Sequence, residues 1–236
     1  MKRTVVITGG TKGLGRTIAL AFGRAGYTVL ALYSSDTQAA AELNTALAEI
    51  KAPGAAVRHD VCSDDDAVWN RPEILEAEHL TLVHNACAAF SPVAMHQLGW
   101  AEFEKNLSVA VKGAWSCSQR LIPLMVKRKS GAIVTILTTA IEALPPKGFA
   151  AYATAKHALH GFTLALATEY SSRGIKVLSV SPGYMDTPLS QQWDARLREL
   201  IRANSERITI PTTAAARILE LVKDENIPGT GEIYPV

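Results

Sequence analysis

Thr8-Gly-Gly-Thr-Lys-Gly-Leu-Gly15 is the stretch whose reading decides the fold. It directly follows an apolar, β-branched run, Val5-Val6-Ile7, and places Gly9, Gly13 and Gly15 at GxxxGxG spacing. A strand that breaks into such a turn, with a helix starting near Leu14, suits a pyrophosphate. Without Cβ atoms the backbone turns tightly and comes close to the phosphates, and the helix start offers its free N–H groups. Alone, the spacing also fits a plain strand–helix turn.

The same alternation runs outward through the chain. Candidate strands are Thr4–Thr8, Thr28–Tyr33, Ala55–Asp60, Leu80–His84, Ala132–Leu137, Ile175–Val180 and Gly231–Pro235. Helical patterns lie between them near 14–25, 37–50, 64–76, 101–127, 150–172 and 212–223. Strands alternating with helices predict βαβ units, and runs such as Ile133-Val-Thr-Ile-Leu137 suit strands buried on both faces. The expected fold class is α/β, one doubly wound domain over 1–236, with no repeat or linker. Residues 184–211 break the alternation. There Tyr184-Met-Asp-Thr-Pro188 leads into a helical stretch beyond a strand's carboxyl end, where ligands bind in open α/β sheets, and a substrate lid is expected.

Composition narrows the function classes. Of 236 residues 48% are apolar, ample for a large core, and the net charge of +2 argues against nucleic acid, which needs a concentrated basic face. Cys62, Cys87 and Cys117 lie far apart with no CxxC, which fits a reducing compartment better than a disulfide framework. No run approaches the ~18 apolar residues of a membrane span. Met1-Lys-Arg leads into a strand rather than a leader. A cytoplasmic protein with no membrane partner is expected. His157 and His160 have a spacing that can hold a metal, but no third ligand is evident and none is expected.

The second informative stretch is Tyr152-Ala-Thr-Ala-Lys156, which puts a phenol and an ammonium on one helix face. A free phenol has a pKa of about 10, too high for exchange near neutrality, and a nearby ammonium lowers it. A proton donor downstream of a dinucleotide cradle points to hydride transfer, in which the cofactor carries the hydride and the protein supplies position and proton. The second strand ends Leu32-Tyr33-Ser34-Ser35, with no acid before Asp36, and Lys12 adds a positive charge inside the glycine turn. A carboxylate at that strand end would bind the ribose hydroxyls and repel a 2′-phosphate, so both features favour NADPH over NADH. Asp60 can accept a bond from the adenine amino group, and Asn85 can satisfy backbone groups where the sheet splits.

Through these residues the chain resembles the short-chain dehydrogenase/reductase family. The glycine motif, Asp60, His84-Asn85-Ala86, Asn106, Tyr152-x-x-x-Lys156, and Ser181-Pro182-Gly183 with Thr187 follow the family's order across essentially the whole chain. The general likeness is to 3-oxoacyl-thioester and ketone reductases. The resemblance implies a Rossmann-type sheet of seven parallel strands with helices on both faces, assembled as a homodimer or homotetramer. It implies that Tyr152 donates the proton, that Lys156 holds the nicotinamide ribose and lowers the phenol's pKa, and that Asn106 supports a relay water. Pro182, Gly183 and Thr187 would position the carboxamide. Thr11, Leu14, Val61, Ala86 and Tyr152 join Gly9, Lys12, Gly13, Gly15, Tyr33, Ser34, Ser35, Asp60, Asn85 and Lys156 in the implied cofactor-binding set.

Two departures stand out. Leu137-Thr138-Thr139 occupies the place of the family's catalytic serine. Counting from Gly131 selects Thr138 and counting back from Tyr152 selects Thr139; Thr138 is favoured, because strand length varies less than the loop Ile141–Ala151. The usual Asn-Ala-Gly reads Asn85-Ala86-Cys87, in which Cys87 is a small packing residue or a redox-sensitive thiol. Lys127-Arg128-Lys129 and Arg173 either meet an acidic carrier protein or complement helix ends. In the lid, Trp193, Arg196, Arg198 and Arg202 face an acyl or acidic substrate, or Trp193 covers the core. The expected activity is NADPH-dependent reduction of a carbonyl substrate to a secondary alcohol. The first candidate is a 3-oxoacyl thioester on acyl carrier protein or coenzyme A. Two alternatives are an oxidative NAD(P)-dependent alcohol dehydrogenase and a non-catalytic NADP(H)-binding sensor or assembly protein.

Overall fold

A computed structural model describes residues 1–205 and 207–236. Among them seven strands form one parallel sheet: β1 (Arg3–Thr8), β2 (Thr28–Tyr33), β3 (Gly54–Arg58), β4 (His79–His84), β5 (Gly131–Ile136), β6 (Ile175–Ser181) and β7 (Ile233–Pro235). Their spatial order is β3-β2-β1-β4-β5-β6-β7, with every pair parallel. Side chains alternate across a strand, so β1 divides its apolar run between two cores. Val5 and Ile7 pack with Ile18, Phe22, Leu43 and Ile218. Val6 packs on the other face with Leu82, Leu121, Met125 and Leu166.

The first of these layers comprises α1 (Gly13–Arg24), α2 (Thr37–Glu49) and, entering late in the chain, Pro211–Lys223. The second is built by Gly113–Arg128 and Ala150–Tyr170. This is the doubly wound arrangement, with both sheet faces covered. No helix among the described residues is long and apolar enough to cross a membrane.

The helical pattern expected over 64–76 is broken. A 3₁₀ turn, Ala67–Asn70, is followed by a single helical turn, α3 (Pro72–Leu75). Between them Arg71 is extended, at φ −70° and ψ 140°. Pro72 is the cause, since a proline disfavours the helical region for the residue before it. The stretch expected as one helix over 101–127 is continuous but heterogeneous: α4 (Trp100–Leu107), a π-helical turn Ser108–Lys112, then α5 (Gly113–Arg128). The helix carrying Tyr152 is α6 (Ala150–Tyr170).

Residues 184–211 hold a 3₁₀ turn, Ser190–Gln192, and α7 (Ala195–Ala203), before α8 (Pro211–Lys223). The segment's two ends meet through Tyr184 and Ile208; residue 206 of the expected lid lies outside the described residues.

Candidate active site

The strand order reverses between β1 and β4, and the carboxyl ends of these neighbours build the centre of the site. Thr8 closes β1, and its Oγ1 accepts from the backbone N–H groups of Asn85 and Ala86, each at 3.0 Å. The Asn85 amide in turn donates to the carbonyls of Thr8 and Gly9, both at 3.0 Å. Asn85 thus holds the glycine turn against the end of β4. Gly9 sits at φ +61°, where a side chain is strained. At Gly15 the packing itself excludes a side chain, because a Cβ would collide with the Gly9 carbonyl and stand 2.6 Å from Asn85 Nδ2.

A cavity of about 540 Å³ opens above this turn. It is lined by Gly9, Thr11, Lys12, Gly13, Leu14 and Gly15 from the turn, and by Tyr33, Ser34 and Ser35 after β2. Asp60 and Val61 come from beyond β3, and Asn85 and Ala86 from beyond β4. Pro182, Gly183 and Thr187 contribute from beyond β6, with Thr138, Tyr152 and Lys156 at the reacting end. No side chain caps the start of α1, so its first N–H groups remain available to an anion. Close-packed glycines, an uncapped helix start and an elongated cavity fit a dinucleotide.

Asn106 is the exception among the expected residues. It is buried, and its Nδ2 donates to the Glu102 carbonyl one turn back, at 2.9 Å. Its side chain therefore serves α4, just ahead of the π turn, rather than lining the cavity beside Tyr152 and Lys156. Of the two threonines, Thr138 lines the cavity. It is extended, at φ −170°, and its Oγ1 accepts from Ala140 N at 3.3 Å, while Thr139 N donates to Pro182 O at 3.1 Å.

Lys156 is almost fully buried, and its Nζ donates to the Ile136 carbonyl at the end of β5, at 2.7 Å. That ammonium lies 5.8 Å from the centre of the Tyr152 ring. Burial pulls the Lys156 pKa down, and the neighbouring Cys87 works against this. The Tyr152 phenol is pushed above its ordinary value by burial, with the adjacent Thr138 side chain pulling the other way. The lowering expected from Lys156 is not what sets this phenol: burial raises it, Cys87 adds to that, and only the Thr138 hydroxyl pulls it down. The Cys87 thiol is also held up by burial, which keeps it protonated and unreactive near neutrality.

The positive charge that Lys12 brings to the glycine turn is partnered within the chain. Its Nζ lies 2.8 Å from Asp36 Oδ2, and Asp36 lines the same cavity. Asp36 faces the turn because it caps α2, accepting from Ala39 N at 3.0 Å. That backbone bond, and then Lys12, hold its carboxyl below the usual range. Arg128 is likewise engaged within the chain, donating to the carbonyls of Ile74 and Leu75.

Sequence reading passed over Phe90 and Phe149. Phe90 stacks on Tyr152 with ring centres 4.9 Å apart and planes at 16°, and Phe149 meets Tyr152 edge-on at 5.8 Å. Phe149 lies one helical turn before Tyr152, which is a local signal; Phe90 carries none, since it arrives from another strand end.

Fold and site together define a dinucleotide-binding oxidoreductase. The chain belongs to the short chain dehydrogenase family, which it matches over residues 3–198, and a nicotinamide cofactor is that family's. It is 33% identical over 193 residues to 3beta-hydroxysteroid dehydrogenase 1 of Eggerthella lenta, covering 80% of this chain and 73% of that protein. It is 29% identical over 204 residues to the 3-oxoacyl-[acyl-carrier-protein] reductase FabG of Staphylococcus epidermidis, covering 84% of this chain and 82% of the relative. The crystal structure of a 3-oxoacyl-[acyl-carrier protein] reductase from Brucella melitensis, with bound NAD, superposes with a TM-score of 0.85. It is 27% identical, and the match spans 99% of this chain and 89% of that one.

Proposed function

We propose that this chain is a carbonyl reductase that uses NADPH to convert a ketone into a secondary alcohol, with Tyr152 as the proton donor. The carrying observation is that Tyr152 and Thr138 meet at one end of the cavity that begins at the glycine turn. The cofactor supplies the hydride when bound. The turn from Gly9 to Gly15 and the open start of α1 take the pyrophosphate, Asp60 and Val61 border the adenine, and Thr187 with Pro182-Gly183 borders the nicotinamide. Thr138 Oγ1 and the Tyr152 hydroxyl polarise the substrate carbonyl, and the protonated phenol gives up its proton as the oxygen gains charge. Lys156, held by the Ile136 carbonyl, lies close enough to oppose the charge left on Tyr152.

Reduction of a 3-oxoacyl thioester, on acyl carrier protein or coenzyme A, is the first substrate class supported by the reductase relatives; the hydroxysteroid dehydrogenase relative supports a ring ketone. A second cofactor reading, NADH, is favoured by the Asp36 carboxylate beside Lys12. Purified protein is assayed for loss of reduced-nicotinamide absorbance with NADPH or NADH against 3-oxoacyl thioesters and simple ketones. Turnover that disappears in Tyr152→Phe supports the reading. Cofactor binding without turnover of any ketone overturns it in favour of a binding protein.

A further inference from the structure

Four aromatic rings meet beside the reacting end of the cavity, and three of them have no part in the chemistry above. Phe90 and Phe149 are 6% and 5% exposed and belong to the body of the protein. Their rings pack edge-to-face at 5.1 Å, and both touch Tyr152. The fourth ring, Trp193, comes from the segment expected to be a lid. It rests 5.4 Å from Phe90 and 5.3 Å from Phe149, and its Nε1 donates to the Phe90 carbonyl at 2.9 Å.

The segment is otherwise held near its ends, where Met185 packs against the first core, Arg207 donates to the Ser181 carbonyl and Thr209 donates to the Val236 carbonyl. The helix α7 that follows Trp193 buries none of its residues, and its Leu200 is 60% exposed. Ahead of α7, Trp193 is the aromatic side chain by which the middle of the segment meets the body. Its seat adjoins the cavity: Ala88 and Ala89, next to Phe90, line the cavity, as do Leu189 and Gln192 ahead of Trp193. None of these neighbours carries a charge.

We propose that the seat made by Phe90 and Phe149 beside Tyr152 is a substrate subsite for a compact apolar ring, and that Trp193 occupies it until an aryl or cyclic ketone displaces the indole. The inference rests on the reading of Tyr152 as proton donor to a ketone. Its own basis is geometric. The seat already holds a flat ring between edge-on and tilted partners, the arrangement aromatic faces and edges favour. A ring on the substrate regains those contacts, whereas a short acyclic chain regains few of them. The ring also explains why the seat lies within reach of the hydroxyl that must protonate its carbonyl. A displaced Trp193 loses its bond to the Phe90 carbonyl and moves toward water.

Two measurements test this. In the first, cyclohexanone and 1-indanone are compared with butan-2-one as substrates for reduction. The ring ketones are expected to have a kcat/KM higher by roughly tenfold or more, the range that apolar fit supplies. Phe90→Leu is expected to reduce that ratio while butan-2-one is still turned over. In the second, tryptophan emission of the cofactor-loaded protein is followed during titration with cyclohexanone. A red shift is expected in the wild type and none in Trp193→Phe, which keeps Trp69, Trp100 and Trp115. A ratio near one, no shift, or a shift that persists in Trp193→Phe overturns the proposal. If no ketone is reduced, the reading of Tyr152 fails, and the emission titration alone decides the seat.

Discussion

The ammonium of Lys12 and the carboxylate of Asp36 stand 2.8 Å apart beside Tyr33-Ser34-Ser35, joining the glycine turn to the start of α2. Both side chains are open to solvent, 53% and 39% exposed, and such pairs add little to stability. The pair is therefore easily exchanged. A 2′-phosphate carries more charge than one carboxylate and competes for Lys12, while Asp36 keeps its bond from Ala39 N. A cofactor without that phosphate leaves the pair intact and can use Asp36 for its ribose hydroxyls.

Lys12→Ala should therefore weaken NADPH binding by roughly tenfold to a hundredfold, the usual worth of a charge-assisted hydrogen bond, and leave NADH nearly unchanged. Asp36→Asn should strengthen NADPH binding, because Lys12 is then released. Fluorescence titration with each reduced cofactor measures both. Equal losses for NADPH and NADH in Lys12→Ala would show that Lys12 merely supports the turn.

Tyr152→Phe removes one oxygen from a side chain whose ring stacks on Phe90. The stack and the fold should survive. Turnover should fall by about 10²–10⁴-fold, the range for general acid catalysis, with cofactor affinity unaltered. Thr138→Val should cost less, because it removes a polarising hydroxyl and leaves the proton donor. Stopped-flow single-turnover rates separate the chemical step from release, and a Tyr152→Phe enzyme with undiminished rates would remove this tyrosine from the mechanism.

Much of this architecture was legible in the sequence because the sheet is parallel and buried. β-branched apolar runs such as Ile133-Val-Thr-Ile-Leu137 have few other uses, and the strands fall within two residues of their expected bounds. The glycine turn and the Tyr152/Lys156 pair were legible because each is a local pattern on one element. What escaped is non-local or depends on a side chain's choice of partner. Lys12 meets Asp36 across 24 positions and Trp193 meets Phe90 across 103, and no periodicity links such pairs. The amide of Asn106 turns to its own helix, which spacing alone does not reveal. The break at Arg71 was readable, since Pro72 stands in plain view.

Asn85 is expected to matter for stability as well as for the cofactor. Asn85→Ala deprives the Thr8 and Gly9 carbonyls of their shared donor at the crowded approach of the turn to β4. Unsatisfied groups of this kind cost about 1–3 kcal/mol each. Urea unfolding should show a loss of about 2 kcal/mol, and cofactor titration a weaker complex. If stability holds while affinity falls, Asn85 acts on the ligand directly and not through the turn.

His84, at the end of β4, should give the protein a distinct acid sensitivity. It is 3% exposed, its Nε2 is 3.0 Å from Ser118 Oγ, and burial lowers its pKa from 6.5 to about 3. Folded His84 is therefore neutral between those values, while the unfolded chain takes up a proton below pH 6.5. The unfolded state then binds more protons, so stability falls as pH drops from 6.5 toward 3, by roughly 1.4 kcal/mol per pH unit. His84→Gln retains a partner for Ser118 and removes the titration. Between about pH 7 and about pH 5 the wild type should lose about 2 kcal/mol more than the variant in urea unfolding. His59 and His79, also lowered by burial, are present in both proteins and cancel in the difference. Equal pH dependence in the two would mean that His84 is charged, or reached by water, in the folded protein.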